Sequence, residues 1–296
     1  MVNLTHIAVF ANPKARSSES WDTCRQLLEK QYDVKIFVLG EAKLEDQLTS
    51  AWQQGYTTIV AAGGDGTIST IVDALLRLQI PVKLGVLPIG TFNHFAKDLA
   101  IPLDLEAALR VIESGHTTLI DVAKVNERHF INNSSIGLYP YIVKERETLE
   151  QSGIHKFIAH FRVLAGLLSR RFTYEVRFGT SPAAPLKKIT NIFVGNNIYS
   201  IEGLSTGTRP SISEGKLFLI IAKSMHGFEL VKFLYKSING AALADKDLNV
   251  TGLAECTIES KRKTIRVAYD GEVAMMTPPL KYSILPKVLS VIIPAS

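Results

Sequence analysis

The amino-acid sequence predicts an α/β N-terminal domain with a parallel sheet, followed by a C-terminal, mainly antiparallel β-sandwich domain. Strand-like and helix-like stretches alternate over the first ~120 residues, which is typical of parallel β-α-β units. Beyond Asp121, strand-like runs follow one another more closely, with Asn-Asn, Asp-Gly and Pro-containing turns between many of them, as in antiparallel sheets. The chain has 296 residues, which is long for one hydrophobic core and favours two domains.

The N-terminal part contains four predicted strands and three predicted helices in alternation. Apolar runs bounded by turn residues indicate the strands, and apolar residues three and four positions apart indicate the helices. In chain order these are strand Thr5–Asn12, helix Trp21–Lys30, strand Asp33–Gly40, helix Lys43–Gln54, strand Thr57–Ala62, helix Ile68–Leu78 and strand Lys83–Gly90. Such folds bind ligands beside the carboxyl ends of their strands, so we expect the functional site there.

The C-terminal part contains six predicted strands and two helical stretches. The helical stretches are Ile154–Arg171 and Phe228–Ile238. The first of them mixes apolar and basic side chains, a pattern that fits a helix lying on an anionic membrane and also a packed helix with a charged outer face. The predicted strands are His129–Asn132, Phe172–Phe178, Ile189–Gly195, Lys216–Ala222, Cys256–Glu259 and Thr264–Tyr269.

Composition limits the possible classes of function. The apolar runs are short, Leu217–Ala222 being among the longest, whereas a spanning helix needs roughly 18 apolar residues, so no transmembrane helix is predicted. No export signal is recognised, and the two cysteines, Cys24 and Cys256, form no disulfide or metal-ligand pattern, so we expect a cytoplasmic protein. The net charge of +5 favours anionic partners, and Lys14 and Arg16 are either phosphate contacts or solvated charges. No nucleic-acid-binding module is recognised, so nucleic acid is not an expected partner.

The stretch Gly63-Gly64-Asp65-Gly66-Thr67 joins a predicted strand to a predicted helix. Glycine lets the backbone approach a ligand closely, and the free N–H groups of a helix start favour anions, so this turn predicts a phosphate site. Thr67 is expected to cap the helix. Asp65 would repel bare phosphate, and its presence therefore predicts a cation between the two, most plausibly Mg²⁺.

A second glycine turn, Gly90-Thr91-Phe92-Asn93, follows the next strand and repeats the order of strand, tight turn and helix. Two adjacent strand ends would then present glycine turns at one edge of the sheet, as a nucleotide site requires. Asn93 is expected to hydrogen-bond either the nucleotide or the backbone. The Gly-Lys-Ser/Thr of a Walker A loop is absent, and the match to the dinucleotide-binding fingerprint is poor.

Four motifs occur in order along nearly the whole chain: Gly63-Gly64-Asp65-Gly66-Thr67, Pro88-Ile89-Gly90-Thr91-Phe92-Asn93, the stretch from Ile120 to Leu138, and Asp270-Gly271-Glu272. In this order they resemble the diacylglycerol kinase catalytic-domain family, which includes bacterial soluble lipid kinases, sphingosine kinases and ceramide kinases. The first motif alone is shared with NAD kinases and, loosely, with phosphofructokinases, so the combination of motifs carries the resemblance.

The resemblance implies a domain organisation. An ATP-binding domain like that of NAD kinases and phosphofructokinases would comprise residues 1–122 and a returning strand, Leu285–Pro294, within residues 285–296. Residues 123–284 would form the β-rich substrate domain, and ATP and substrate would meet in the cleft between the two domains.

The resemblance also implies the roles of particular residues. Asp65 and Asp121 would belong to a Mg²⁺–ATP network, with Asp65 also catalytic, and Glu272 would be the general base. By itself, the Asp270-Gly271 pair before Glu272 is typical of a short hairpin turn. The residues expected to bind ATP are Asn12, Pro13, Gly63, Gly64, Gly66, Thr67, Gly90, Thr91 and Asn93.

The sequence departs from the family pattern at four places. The loop Asn12–Arg16 lacks the glycine of Asn-Pro-x-Ser-Gly, and Ser69-Thr70 replace Asn-Glu. His94 replaces an aspartate of the metal network, so we expect a weaker or rearranged Mg²⁺ site. Relatives with a second, structural Mg²⁺ carry Asp-Gly-x-Leu-Asp where this chain has Glu214–Phe218, so we do not expect that metal here.

The predicted function is an ATP- and Mg²⁺-dependent lipid kinase that transfers the γ-phosphate to a hydroxyl of a diacylglycerol-like or related lipid. Phosphatidylglycerol and sphingoid bases are also open as acceptors. We expect such an enzyme to meet its lipid substrate at a membrane surface, by peripheral association. The alternatives are an NAD kinase-like small-molecule kinase and a non-catalytic nucleotide- or lipid-binding relative.

Overall fold

A computed structural model of the protein describes residues 7–13, 18–31, 34–141, 143, 173–178, 185–200, 209–224 and 248–295. The two predicted helices Ile154–Arg171 and Phe228–Ile238, and the candidate phosphate contacts Lys14 and Arg16, lie outside the described residues. Among the helices that are described, none is long and apolar enough to cross a lipid bilayer.

The N-terminal part follows the predicted alternation of strands and helices. Its elements are β1 (Ile7–Ala11), α1 (Ser18–Gln31), β2 (Lys35–Val38), α2 (Leu44–Gln53), β3 (Thr58–Gly63), α3 (Asp65–Arg77), β4 (Lys83–Pro88), α4 (His94–Asp98) and α5 (Leu105–Ser114). The sequence analysis expected a helix after the second glycine turn, where α4 lies, but it did not predict α5. Helix α5 has clear local signals, because the Asp104 carboxylate accepts the Ala107 N–H at 2.9 Å and Gly115 ends the helix with a φ of 65°.

In the described residues of the C-terminal part, a short helical stretch occupies 138–141, and the other regular elements are β-strands. They are β5 (Thr117–Val125), β6 (Arg128–Phe130), β7 (Asn133–Gly137), β8 (Tyr174–Phe178), β9 (Lys187–Asn196), β10 (Leu217–Lys223), β11 (Leu248–Leu253), β12 (Glu255–Ser260), β13 (Ile265–Tyr269), β14 (Glu272–Met276) and β15 (Leu280–Ile292). All pairings among these strands are antiparallel.

Strand β15 connects the two parts of the sheet. Strands β1 to β4 pair in parallel in the order β4-β3-β1-β2, and the end of β15 continues this parallel part beside β4 at Ser290 and Val291. The start of β15 pairs antiparallel with β12. Residues 282–285 and 289–292 of β15 pair antiparallel with β5, with a shift of register between these two stretches. The predicted fold class is therefore confirmed as an N-terminal α/β part with parallel strands and a C-terminal antiparallel, β-rich part. The predicted returning strand begins earlier than expected, at Leu280.

Two hydrophobic cores accompany the two parts of the sheet. One core lies between β1–β4 and the helices, and it includes Leu289 and Val291 of β15. The other lies among the antiparallel strands and includes Leu280 and Tyr282 of the same strand. The division into residues 1–122 with 285–296 and residues 123–284 stays a prediction.

Both cysteines are buried and free. Burial raises the pKa of the Cys24 thiol to about 12 and that of Cys256 to about 11. Because a thiolate is the reactive form, neither side chain is a nucleophile near neutral pH.

Asp73 fixes α3 against β6. Its carboxylate accepts the backbone N–H of His129 at 2.9 Å, contacts the Nδ1 atom of the same residue at 2.9 Å, and pairs with Arg77 at 3.0 Å and Arg128 at 3.2 Å. Burial of the side chain raises its pKa, but the hydrogen bonds from His129 and Arg77 outweigh this effect and lower the pKa of Asp73 to about 2.

We expect Asp73→Asn to lower the free energy of unfolding by about 2 kcal/mol at pH 7, the equivalent of the pKa shift. A pKa below the unfolded value means that this contribution is complete above the ordinary aspartate pKa and disappears as the pH falls through about 2. Urea unfolding of both proteins at pH 7 and near pH 2 measures this. A difference of equal size at the two pH values would contradict the assignment.

Candidate active site

The two predicted glycine turns lie side by side at the carboxyl ends of β3 and β4. These strands pair in parallel from Thr58 and Lys83 to Gly63 and Pro88. The first turn leads into α3, whose N-cap is Gly64, and the second turn leads into α4, whose N-cap is Asn93. The expected meeting of two glycine turns at one sheet edge is therefore present in the structure.

Glycine is required at Gly90 because the backbones of the two turns are in contact there, and at Gly63 because the Thr67 side chain packs against it. A Cβ atom added to Gly90 would lie 2.3 Å from the Cα of Gly64, and one added to Gly63 would lie 2.4 Å from the Cβ of Thr67. Any larger residue at Gly90 would separate the two turns.

We expect Gly90→Ala to lower the free energy of unfolding by about 1–3 kcal/mol, as overpacking of a close contact does. Thermal and urea unfolding would measure the loss. If the variant is as stable as the unchanged protein, the two turns can move apart without a loss of folding free energy, and the close contact between Gly64 and Gly90 does not stabilise the fold.

Gly66 is different, because the fold does not require it. It is exposed in the first turn of α3, and a Cβ atom added to it would meet no heavy atom of the described residues within 4 Å. Glycine within a helix costs about 0.5–1 kcal/mol relative to alanine. This glycine therefore reduces stability and leaves open space beside the helix start.

Asn93 stabilises the second turn from within. The residue is 4% exposed and has a left-handed backbone with a φ of 51°. Its Oδ1 accepts the N–H of Gly90 at 3.0 Å, while its Nδ2 donates to the carbonyl oxygens of Pro88 at 3.1 Å and Gly90 at 3.0 Å. Of the two expected partners, nucleotide or backbone, its side chain contacts the backbone.

Asp65 connects the first turn to the second. Its Oδ2 accepts the backbone N–H of His94 at 3.1 Å and its Oδ1 accepts that of Phe95 at 2.9 Å. The carboxylate thus binds two of the free N–H groups at the start of α4, a role that the sequence analysis did not foresee.

Thr67 does not cap α3, contrary to expectation. The helix begins two residues earlier, at Asp65, and its N-cap Gly64 makes no side-chain capping bond. The Thr67 hydroxyl instead accepts a hydrogen bond from Nδ2 of Asn12 at 3.3 Å, just beyond β1. This contact attaches the predicted first loop, which continues to Pro13, to the glycine turn.

The second turn exposes two aromatic rings. Phe92 is 60% exposed, and its ring stacks on that of His94 with centroids 5.7 Å apart and planes inclined by 13°. Thr91, between Gly90 and Phe92, is also exposed. The His94 ring therefore packs on Phe92, while its backbone N–H binds Asp65.

Asp121 is fully buried in β5 and faces an irregularity of β15. Its Oδ2 accepts the N–H of Gly215 at 2.7 Å and its Oδ1 accepts the N–H of Lys287 at 2.8 Å. Lys287 lies where the register between β5 and β15 shifts, so the carboxylate binds an amide that the strand pairing does not use. Both oxygens of Asp121 are thus occupied by the backbone.

The donor atoms at the glycine turns fit Mg²⁺ that arrives with a nucleotide. In the part of the chain that the structure describes, no three His, Cys, Asp or Glu side chains come together as a metal site. Asp65 provides one carboxylate whose oxygens each accept a single N–H. Mg²⁺ typically binds one or two carboxylates together with substrate phosphates and water, and this set meets that requirement.

The Asp270-Gly271 pair forms a two-residue hairpin turn between β13 and β14, with φ values of 45° and 89°. Oδ1 of Asp270 accepts hydrogen bonds from the backbone N–H groups of Asn132 and Asn133. Oδ2 accepts hydrogen bonds from the backbone N–H of Ile131 and from the Ser69 hydroxyl, and all four distances are 2.6–3.0 Å. Burial raises the pKa of Asp270, and the four donors oppose this rise.

Glu272 follows this turn and is exposed at the first position of β14. Its Oε1 lies 3.3 Å from Oγ1 of Thr70 in α3. The structure thus places the predicted base beside the helix that begins at the first glycine turn.

A buried ion pair that no motif indicates supports the second turn. Arg209 pairs with Asp98 of α4 at 2.7 Å, and both side chains are almost fully buried. The guanidinium also donates to the carbonyl oxygen of Ile131 and to Oδ1 of Asn132. Helix α4 is therefore held at its start by Asp65 and at its end by Arg209.

The fold and site define the class of an α/β protein with two glycine turns at one edge of its parallel sheet. The family model of the diacylglycerol kinase catalytic domain matches residues 6–125. This match confirms the resemblance that the motifs of the sequence indicated.

Similar proteins include two curated diacylglycerol kinases. The chain is 29% identical to that of Staphylococcus aureus (strain bovine RF122 / ET3-1), covering 72% of this chain and 73% of the relative. It is also 29% identical to that of Staphylococcus epidermidis (strain ATCC 35984), covering 72% of each chain.

Solved structures extend the likeness of fold to nearly the whole chain. A diacylglycerol kinase from Bacillus anthracis str. Sterne has a TM-score of 0.69 at 20% identity, covering 98% of this chain and 97% of that chain. A putative diacylglycerol kinase from the same organism has a TM-score of 0.70 at 22% identity, covering 98% of both chains.

Proposed function

We propose that the protein is an ATP-dependent lipid kinase that transfers the γ-phosphate of ATP to a hydroxyl of a diacylglycerol-like lipid. The family of residues 6–125 and the names of the curated relatives support this proposal. Diacylglycerol is the favoured acceptor because those relatives are named diacylglycerol kinases.

One observation about the site carries the proposal. The close packing of the turns explains Gly63 and Gly90, whereas Gly66 lies in open space at the exposed start of α3. A helix start presents N–H groups to an anion, and only a residue without a side chain leaves them fully accessible. The phosphates of ATP fit this position.

Phosphate binding would use the amides of the two turns. The first-turn N–H groups of α3 and the N–H of Thr91 would contact the phosphates, while Gly90 would let them approach the turn closely. Asn12 would close the site beside Thr67. Mg²⁺, when bound with the nucleotide, would neutralise charge on the β- and γ-phosphates, with Asp65 as its protein ligand. Asp121 would act indirectly, by holding Gly215 and Lys287 in place.

Glu272 would act on the acceptor. As the lipid hydroxyl oxygen forms its bond to the γ-phosphorus, the bond between that phosphorus and ADP breaks and the carboxylate of Glu272 accepts the hydroxyl proton. Phosphoryl transfer depends chiefly on alignment and charge stabilisation, to which a positioned base adds about 10²–10⁴-fold.

The lipid would be met at a membrane surface, where a diacylglycerol-like molecule resides. Cosedimentation with phosphatidylcholine vesicles, with and without diacylglycerol, tests this part of the proposal. Binding that increases with diacylglycerol content supports it, and equal recovery in the supernatant with both vesicles contradicts it.

Incubation with γ-labelled ATP, Mg²⁺ and vesicles containing diacylglycerol tests the activity. The expected product is labelled phosphatidic acid. A total lipid extract and NAD serve as parallel acceptors, so that a different labelled lipid would change the assigned acceptor and labelled NADP would replace the proposal by an NAD kinase. If no phosphate is transferred from ATP to any of these acceptors, the proposed lipid kinase function is contradicted.

Gly66→Ala separates binding from stability. We expect this change to increase the free energy of unfolding by about 0.5–1 kcal/mol, because alanine favours the helix. We also expect ATP to bind about tenfold more weakly, a loss of about 1.4 kcal/mol, because the methyl group occupies the space beside the helix start. Urea unfolding and titration with a fluorescent ATP analogue measure the two effects. Unchanged nucleotide affinity would remove Gly66 from the site.

A further inference from the structure

Two consecutive hydroxyl side chains of α3, Ser69 and Thr70, contact the two acids of the Asp270-Gly271-Glu272 turn. Ser69 donates from Oγ to Oδ2 of Asp270 at 2.6 Å, and Oγ1 of Thr70 lies 3.3 Å from Oε1 of Glu272. We call these two side chains the hydroxyl pair. The proposed mechanism has so far assigned neither of them a role.

Ser69 stabilises the Asp270-Gly271 hairpin turn through its hydrogen bond to Asp270. Asp270 has a left-handed backbone, with a φ of 45°, which costs a non-glycine residue on the order of 1 kcal/mol and needs support from its surroundings. Three of the donors to its carboxylate are backbone amides of residues 131–133, and Ser69 is the donor from α3. The Ser69 hydroxyl therefore connects the helix of the first glycine turn to the hairpin that carries Glu272.

Thr70 contacts Glu272 directly. Its hydroxyl has one proton, and two acceptors lie within reach: the carbonyl oxygen of Gly66 at 2.8 Å and Oε1 of Glu272 at 3.3 Å. Both Thr70 and Glu272 are exposed, so a substitution of Thr70 disturbs no core packing. A substitution of Thr70 can therefore test the positioning of Glu272 without unfolding the protein.

We propose that the hydroxyl pair positions Glu272 relative to the phosphate-binding turn. The proposal rests on the lipid kinase function and deepens it, because a base contributes only when it is aligned with the acceptor hydroxyl and the γ-phosphate. Helix α3 is a rigid spacer with a rise of about 1.5 Å per residue, so the pair lies about 6–8 Å along the axis from Asp65. Because Ser69 and Thr70 contact Asp270 and Glu272, they hold Glu272 at a fixed distance from the first glycine turn.

Kinetics of Thr70 variants test the proposal. We expect Thr70→Val to lower kcat about tenfold with KM for ATP unchanged, because the isosteric side chain cannot hydrogen-bond Glu272. Thr70→Ser restores the hydroxyl and is expected to keep most of the turnover. Thr117→Val makes the same change at an exposed position of β5 and is expected to leave kcat unchanged. Equal losses in Thr70→Val and Thr70→Ser, or a raised KM at constant kcat, would overturn the proposal.

Hydrogen exchange gives a readout that does not depend on activity. We expect Ser69→Ala to accelerate exchange of the Ile131, Asn132 and Asn133 amides, because Asp270 loses its donor from α3 and holds them less firmly. Unchanged exchange in Ser69→Ala together with unchanged kcat in Thr70→Val would overturn the proposal. Faster exchange in Ser69→Ala, with no phosphate transfer by the unchanged protein, would support the structural coupling and contradict the lipid kinase function instead.

Discussion

Replacing Glu272 with glutamine is expected to lower kcat for phosphate transfer to a lipid by about 10²–10⁴-fold, the contribution of a positioned base. Glutamine keeps the size and most hydrogen bonds of the side chain, but its amide cannot accept the hydroxyl proton. Because Glu272 is exposed at the first position of β14, we expect the free energy of unfolding to change by no more than about 0.5 kcal/mol. Initial rates with labelled ATP and diacylglycerol vesicles measure the effect.

Glu255→Gln provides the matched control for this variant. Glu255 is also exposed and also opens a strand, β12, so the same chemical change is made in a similar backbone environment. We expect this control to keep its turnover, and both variants should bind a fluorescent ATP analogue as the unchanged protein does. Turnover of Glu272→Gln within twofold of the unchanged protein would remove the base role from Glu272.

Local sequence signals were sufficient for the strands and the two glycine turns. Each turn consists of adjacent residues at the end of an apolar run, and parallel strands place such ends at one edge of the sheet. The second glycine turn predicted a following helix but not the bounds of α4, because five residues are too short for a helical repeat to be recognised. Helix α5 could have been predicted from Asp104 and Gly115, which cap its two ends.

The roles of individual site residues depend on contacts between distant parts of the chain. The backbones of Gly64 and Gly90 are in contact, so each position needs a glycine, whereas no neighbouring atom requires a glycine at position 66. In the sequence, all three are simply glycines in a turn after a strand. The partners of Asp121 lie 94 and 166 residues further along the chain, so its carboxylate could not be assigned to backbone amides from the sequence. Arg209 carries no motif at all, and only folding brings it to Asp98.

Asp65→Asn is expected to lower kcat by about 10²–10³-fold, as the loss of one preorganised charged group does, and to raise the Mg²⁺ concentration needed for half-maximal turnover. Asparagine keeps one acceptor oxygen, but its NH₂ group faces the second backbone N–H of α4, so one of the two bonds to His94 and Phe95 is lost. We therefore also expect a loss of about 1 kcal/mol in the free energy of unfolding, typical of a removed helix cap.

Asp104→Ala distinguishes these two effects of Asp65. The Asp104 carboxylate caps α5 by accepting the N–H of Ala107, so this substitution removes a cap in the same part of the fold without changing the charge at the glycine turns. We expect both variants to lose similar stability and only Asp65→Asn to lose turnover. If the two variants lose stability equally and both keep turnover within threefold, Asp65 acts as a helix cap alone. The cation on the nucleotide would then need a different ligand.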